Sequence, residues 1–525
     1  MTQRIPCPPA PGPLEGFAAQ LDHLFANLAQ RQGFRTYLQG LLLPRDRNKT
    51  LTALVGTEPI VGAQAAPVQQ LQFFLSESTW DAETVNARRL ERLIGEDATV
   101  PHEKGVLVVD DTGDRKDGTK TAHVARQYLG SIGKVDNGIV AVTTIWADER
   151  VYYPLHVEPY TPARRLAKGK NDPAFRTKPQ IAVALVDAAL SAGITFRAVV
   201  ADCFYAENDT FEGALSAAGL PYVLGLKPSH GVWAPVEAVH TPEEAARELS
   251  WGGPEAPGDW TQVVRRFRDG HEETWWAADL SLGPYGPDKP RRVTVAATDP
   301  ATLPPLTTWY LATNLPRPGS PQAVDSPVAP AGLAEVVRIY GLRNWVEQSY
   351  RQVKQELGWA DFMVRGDQAI RRHWQLVCCA FSFCWHTWFA SQDGAPAPIL
   401  EAELAPPVAV ESAVSQAGAA SPTAEAAVGR GENGGRYGRT SRHVAGPAFV
   451  AGSAATGARL AGTLAFSFGA VGGRGQTRPR RGSYRRSSIG SATVAHSTCI
   501  SVSNKVPLAQ SLGYGGYRRQ ATQEA

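Results

Sequence analysis

The chain has no run of about 18 consecutive apolar residues, the length a membrane-crossing helix needs. Its most hydrophobic long segment, residues 376–389, is interrupted by Ser382, His386 and Thr387. The first sixteen residues contain no apolar core of a secretory signal, so none is expected. Cysteine is scarce, six in 525 residues, and its spacing suits neither a disulfide framework nor a zinc site. A reducing compartment, the cytoplasm, is the expectation. Charge of one sign is also lacking. The formal net charge is +3, so a nucleic-acid partner would have to be met by local patches. No G-X-Y period runs through the chain, which excludes a collagen-like fold. What is present is apolar material, 43% of residues, enough for a sizeable core and too much for full disorder.

Residues 1–100 read as a helical region. A helix is expected over 17–30, where Leu21, Leu24, Phe25 and Leu28 recur at helical spacing, and others over 69–76 and 82–93. A basic cluster, Arg45-Asp46-Arg47-Asn48-Lys49, has two readings: a solvated loop, or a contact to DNA phosphates. From residue 105 the character changes to short apolar strands: 106–109, running into Asp110-Asp111-Thr112-Gly113, then 138–145 and 151–155. A helix over 179–192 follows, then a strand 196–201 ending at Asp202, a helix 209–218 and a strand 221–226. The order β-β-β-α-β-α-β predicts an α/β fold, a mixed sheet flanked by helices, over residues 101–227. Residues 228–330 are rich in Pro and Gly, with short strands at 263–267, 273–278, 292–297 and 308–313, and read as a β-rich insertion. A long helical region fills 331–390. Residues 391–525 are dominated by Gly, Ala, Ser and Arg, with 14 Lys and Arg against 7 Asp and Glu, and read as a low-complexity, disordered tail.

Two expected strands end in carboxylates, Asp110 and Asp202, which could share a divalent cation through hard oxygen ligands. A stronger signal follows the insertion. At the helical period, Tyr340, Arg343, Glu347 and Lys354 fall within an arc of about 60°, with Leu342, Val346, Val353 and Leu357 opposite. An ion-paired solvent face would explain that pattern. A tyrosine, two cations and a carboxylate in register also suit a phosphodiester. Other signals are weak. The string 130–134 has the wrong spacing for a phosphate loop. His373, Cys378, Cys379, Cys384 and His386 lack zinc spacing and read as buried residues. Trp275 and Trp276 read as core rather than base-stacking residues, and 114–118 as a solvated turn beside the site.

The spacing Tyr-x2-Arg-x3-Glu-x6-Lys resembles the YREK signature of the DDE transposases of bacterial insertion sequences. Asp110-Asp111-Thr112 resembles that family's first Asp motif, and Val199-Val200-Ala201-Asp202 its second. Arg126-Gln127-Tyr128, Gly133-Lys134, Phe175-Arg176-Thr177-Lys178-Pro179 and Trp309-Tyr310-Leu311-Ala312-Thr313-Asn314-Leu315-Pro316 are similar as well, and the resemblance spans residues 15–390. It implies an RNase H-like catalytic core with a β-rich insertion. It implies Asp110, Asp202 and Glu347 as a metal-binding triad for two Mg²⁺ ions, with Mn²⁺ able to substitute. Tyr340, Arg343 and Lys354 would position DNA phosphates, and the helical N-terminal region would bind the terminal inverted repeats. It implies cleavage at the element's ends and joining of 3′-hydroxyls to target DNA. A homodimer on paired ends, in the nucleoid and away from membranes, is the implied assembly.

Of the adjacent Asp110 and Asp111, only one should face the site. The family pattern of Asp, any residue, then Ser or Thr favours Asp110, with Asp111 the alternative. The family's Gly-containing turn after the second Asp is replaced here by Cys203-Phe204-Tyr205-Ala206. The tail has two readings, a frameshifted reading frame or a native basic tail. With the first comes an alternative function, a transposase-derived DNA-binding protein silenced by its altered C-terminus. A nuclease of the same fold that cuts without joining is the third.

Overall fold

The computed structural model describes residues 5–392 except 208, 232–240 and 268–269. The expectation of a disordered tail therefore lies almost entirely outside the described residues. The chain begins with five helices, α1 (Pro13–Ala19), α2 (Leu28–Leu42), α3 (Leu51–Leu54), α4 (Ala66–Ser76) and α5 (Ala82–Gly95). The single helix expected over 17–30 is not formed. Helix α1 ends at Ala19, and α2 starts only after Asn27, whose side chain accepts from the Gln30 N–H as an N-cap. The apolar residues that suggested one helix, Leu21 and Phe25, are buried from the irregular segment between the two. The basic cluster is neither a solvated loop nor free for phosphates. Lys49 is buried and donates to the Leu41 and Leu43 carbonyls, Arg47 donates to the Thr57 carbonyl, and Arg45 pairs with Asp361 at 2.8 Å. It holds the helical region to residues 354–361.

The middle of the chain runs β1 (Val106–Arg115), β2 (Ala125–Leu129), β3 (Lys134–Ala147), β4 (Tyr152–Tyr160), α6 (Lys178–Ser191), β5 (Ala198–Ala201), α7 (Cys203–Ala206), α8 (Asp209–Ala217) and β6 (Tyr222–Leu226). Strands β1, β3 and β4 form an antiparallel meander, and β5 and β6 join in parallel. The resulting order β4-β3-β1-β5-β6 is that of an RNase H-like sheet. Strand β2 was not anticipated. It pairs antiparallel with the start of β3, and the 130–134 string is the hairpin turn between them, with Gly133 at φ 66°.

The later elements are α9 (Pro242–Arg247), β7 (Thr261–Arg266), β8 (Glu272–Leu280), β9 (Arg292–Ala297), β10 (Thr308–Thr313), α10 (Gln322–Asp325), α11 (Leu333–Gly341), α12 (Asn344–Gln355) and α13 (Asp367–Gln392). The four insertion strands extend the same sheet. Strand β10 pairs antiparallel with β6, and β9, β8 and β7 follow outward. Trp275 and Trp276 are both buried, as core residues. The long helical region consists of the three helices α11, α12 and α13.

Helix α13 closes the molecule against α2, α4, α5 and β4. Three of its polar side chains are buried and satisfied. Arg372 donates to the carbonyls of Leu75, Ser78 and Trp80, around the C-terminal end of α4. Ser382 accepts from Arg89, which also donates to the Pro154 and Leu155 carbonyls of β4. The His373 ring lies between α2 and the chain before α13. Its Nε2 stands 3.1 Å from the Gly358 carbonyl, so that nitrogen carries the proton and Nδ1 accepts from the Tyr37 hydroxyl at 2.7 Å. Among the described residues no helix is long and apolar enough to cross a membrane.

Candidate active site

The site lies where the sheet changes its pairing. Strand β1 is hydrogen-bonded to β3 along all ten of its residues, from Val106 to Arg115. On its other side it pairs with β5 only from Val106 to Val109, and the last pair is Val109 with Ala201. Asp110 is therefore not at the end of its strand, as the sequence suggested. It is the first residue of β1 without a β5 neighbour. Asp202 is the first residue after β5. Parallel strands in register direct paired residues to the same face, so Asp110 and Asp202 meet one step past the last shared rung. The Asp202 side chain also accepts from the Phe204 N–H, capping α7 and fixing the carboxylate.

Arg343 joins the two. Its Nη2 donates to Asp110 Oδ2 at 2.8 Å and stands 3.8 Å from Asp202 Oδ2. Arg343 and Asp110 are both buried. Burial drives the Asp110 carboxyl well above the usual carboxylate range. Arg343 opposes that shift, while Asp202, Glu347 and Asp111 reinforce it. The Asp202 carboxyl is raised for the same first reason, again opposed by Arg343. Burial would loosen the proton of Arg343, but Asp110, Tyr340, Asp202 and Glu347 together outweigh it and hold the guanidinium more firmly charged than usual. The Nε of Arg343 is buried with no hydrogen-bond partner among the described residues.

The helix that carries the signature is broken within it. Helix α11 ends at Gly341 and α12 begins at Asn344. The Arg343 N–H bonds to the Tyr340 carbonyl and the Val346 N–H to the Arg343 carbonyl, a 3₁₀-like tightening. The single arc drawn from an unbroken helix therefore does not describe the geometry. Several polar side chains of α12 dock on the sheet rather than facing solvent. Lys354 pairs with Asp114 at 2.7 Å and donates to the Gly113 carbonyl at 3.1 Å. Tyr350 shares a 2.6 Å hydrogen bond with Thr143 of β3. Tyr340 lies against the insertion side of the sheet. Its ring is 5.1 Å from that of Trp309, and its hydroxyl stands where a Cβ on Gly225 would be, 2.5 Å away.

Asp110 and Asp202 are thus brought together with Arg343. Glu347, half-buried one helical turn beyond Arg343, acts on Asp110 and Arg343 by its charge. Among the described residues no three His, Cys, Asp or Glu side chains gather closely enough to hold a metal, so Glu347 does not close a cluster with the pair. Asp111 takes the other face of β1, where the Lys178 ammonium pairs with it at 3.0 Å. That separates the two adjacent aspartates by the alternation of the strand.

Residues 114–118 were expected as a solvated turn; Asp117 and Gly118 are exposed outside any strand, but the structure corrects the rest. Asp114 and Arg115 belong to β1, and Asp114 is buried. Lys116 lies 3.5 Å above the Phe362 ring and donates to the Ala360 carbonyl at 2.8 Å. Sequence reasoning missed Asp114 and Lys178. The only signal for Asp114 was its position four residues after Asp110, an even spacing that shares a face in a strand. Lys178 sits in one of the similar strings, at the start of α6 beside its Thr177 cap.

The comparisons with known proteins fit this geometry. The model of the DDE superfamily endonucleases matches residues 20–279. A probable transposase for insertion sequence element IS701 from Microchaete diplosiphon is 32% identical over 363 residues, which cover 69% of this chain and 84% of that protein. With an RNase H-like sheet, paired aspartates on its adjacent central strands and the complete Tyr-Arg-Glu-Lys spacing, this chain belongs to the DDE transposases of bacterial insertion sequences.

Proposed function

We propose that this chain cuts DNA at the ends of an insertion sequence and joins the freed 3′-hydroxyl ends to target DNA. The observation that carries the reading is the pair of carboxylates, buried Asp110 and half-buried Asp202, bridged by one guanidinium. Two such carboxylates repel each other and resist ionisation unless positive charge stands between them. Arg343 supplies that charge in part. The donor set, carboxylate oxygens on either side of one guanidinium nitrogen, suits a hard divalent cation. In this reading Asp110 and Asp202 would hold two Mg²⁺ ions, which Mn²⁺ can replace, and Glu347, which stands apart from the pair in this structure, would close on them once metal binds. When bound, such ions lower the pKa of an attacking water or hydroxyl and stabilise the leaving oxygen of an in-line displacement.

The chain's own groups orient the DNA. The unpartnered Nε of Arg343 is a buried donor next to the carboxylates, suited to a phosphate oxygen. Tyr340 and Lys354 position neighbouring phosphates. Lys354 does so by exchanging the Asp114 carboxylate for a phosphate oxygen. The helical N-terminal region reads the terminal inverted repeats, and two copies act on paired ends.

The test is strand cleavage of supercoiled DNA carrying the element's ends, with Mg²⁺ or with chelator. Nicks at the end junctions should need the metal and should vanish in Glu347→Gln, which keeps its binding to end DNA. Cleavage by that variant near the unaltered level would overturn the carboxylate assignment. End binding without cleavage by the unaltered chain would overturn the cut-and-join reading.

A further inference from the structure

The N-terminal basic cluster spends its cations on the chain's own carbonyls and on Asp361. A different surface keeps its cations free. Residues 115–134 and 161–178 together hold eleven Lys and Arg against two Asp. Within them Lys120, Arg126, Lys134, Lys168 and Lys170 are exposed. None of the five side chains donates a hydrogen bond or forms an ion pair among the described residues. The nearby acids are engaged. Asp117 stands 3.3 Å and Asp136 3.8 Å from Arg115, while Asp172 accepts from the Lys168 and Ala174 N–H groups.

The two segments are fastened to one another. Arg164 donates to the Arg126 carbonyl, and Arg165 donates to those of Thr119 and Thr121, each at 3.2 Å. The surface also touches the candidate active site. The hydroxyl of Ser131, in the turn between β2 and β3, donates at 2.6 Å to the Gly113 carbonyl, the same oxygen that accepts from Lys354. Lys178, at the end of the second segment, pairs with Asp111 beside Asp110.

We infer that residues 115–134, which include the turn of the β2–β3 hairpin, and the 161–178 segment form a track for the phosphate backbone of a DNA duplex leading to the Asp110–Asp202 pair, with Lys120, Arg126, Lys134, Lys168 and Lys170 as its contacts. Exposed cations without partners neutralise phosphates and release counterions, so this contact is independent of sequence. The inference rests on the reading that the chain acts on DNA.

Two double variants test it in the full chain, Arg126→Gln/Lys134→Gln and Lys168→Gln/Lys170→Gln, beside Lys104→Gln at the opposite end of β1. Binding is measured against salt for a duplex of arbitrary sequence and for one ending in the element's own terminus. Each pair should weaken both duplexes by a similar factor, on the order of tenfold, and lower the log–log salt slope by about two. Lys104→Gln should change neither, and all melting temperatures should stay close to that of the unaltered chain. Unchanged affinity and slope in both double variants, or a loss confined to the terminal duplex, overturns the track while leaving the cleavage reading intact. An unaltered chain that binds neither duplex overturns both.

Discussion

His373 shows how a single buried ring commits the protein to a pH range. It is fully buried, its two nitrogens are spent on Tyr37 and on the carbonyls of Gly358 and Trp359, and no carboxylate is bonded to it. Burial pushes its pKa down to about 4, with Lys116 adding to the shift. The unfolded chain, with an ordinary histidine near 6.5, then binds more protons than the folded one between those values. The stabilisation is complete above about 6.5 and is lost as the pH falls towards 4, a contribution of about 3 kcal/mol by the usual conversion. The melting temperature should fall across that window. In an NMR titration the His373 ring should stay neutral down to about pH 5; titration near 6.5 would show that the ring is not kept from water.

Among the elements, α13 depends most on polar groups in an apolar setting. Arg372 has no carboxylate bonded to it, and its charge is held by three carbonyls near the C-terminal end of α4. Arg372→Leu should cost about 3 kcal/mol or more, because the three carbonyls lose their donor inside the protein. The loss should appear as a lower melting temperature, with α4 the first place cut in limited proteolysis. An unchanged melting temperature would mean that water replaces the side chain at no cost.

This scale also separates what was legible in the sequence from what was not. Strands β9 and β10 were read to the residue, because each is a short apolar run bounded by turn formers. Strand β2 was missed, since Ala-Arg-Gln-Tyr-Leu has an apolar residue only at each end of a polar pair and a half-exposed tyrosine. The break between α11 and α12 was missed because Leu342 and Arg343, the two residues between the helices, are ordinary helix formers. The grouping of Asp110, Asp202 and Arg343 was legible in local strings. The pairing of Lys354 with Asp114 was not, for the two meet only when α12 lies across β1, 240 residues apart in sequence. Local periodicity carries no information about such a contact.

At the scale of the whole molecule, the insertion strands share one sheet with the RNase H-like strands. No gap in hydrogen bonding separates β6 from β10. Heat should therefore unfold both in one transition. Leu311 of β10 is fully buried, and Leu311→Ala should lower that transition by about 2–5 kcal/mol without splitting it. Two resolved transitions in calorimetry, only one of them moved, would mean that the insertion folds by itself.

The unequal pairing of β1 has a mechanical consequence. Past Val109 the sheet is forked: one prong, β1 with β3, runs on to Arg115, while the other, led by β5, has already turned into α7. Asp110 and Asp202 sit on opposite prongs at the crotch of that fork. A small twist of the β5 side, which bears every insertion strand, changes the separation of the two carboxylates while every rung of the ladder stays closed. Grip applied to the insertion, tens of ångströms out along the sheet by the ordinary spacing of strands, is by this geometry a handle on the gap between them.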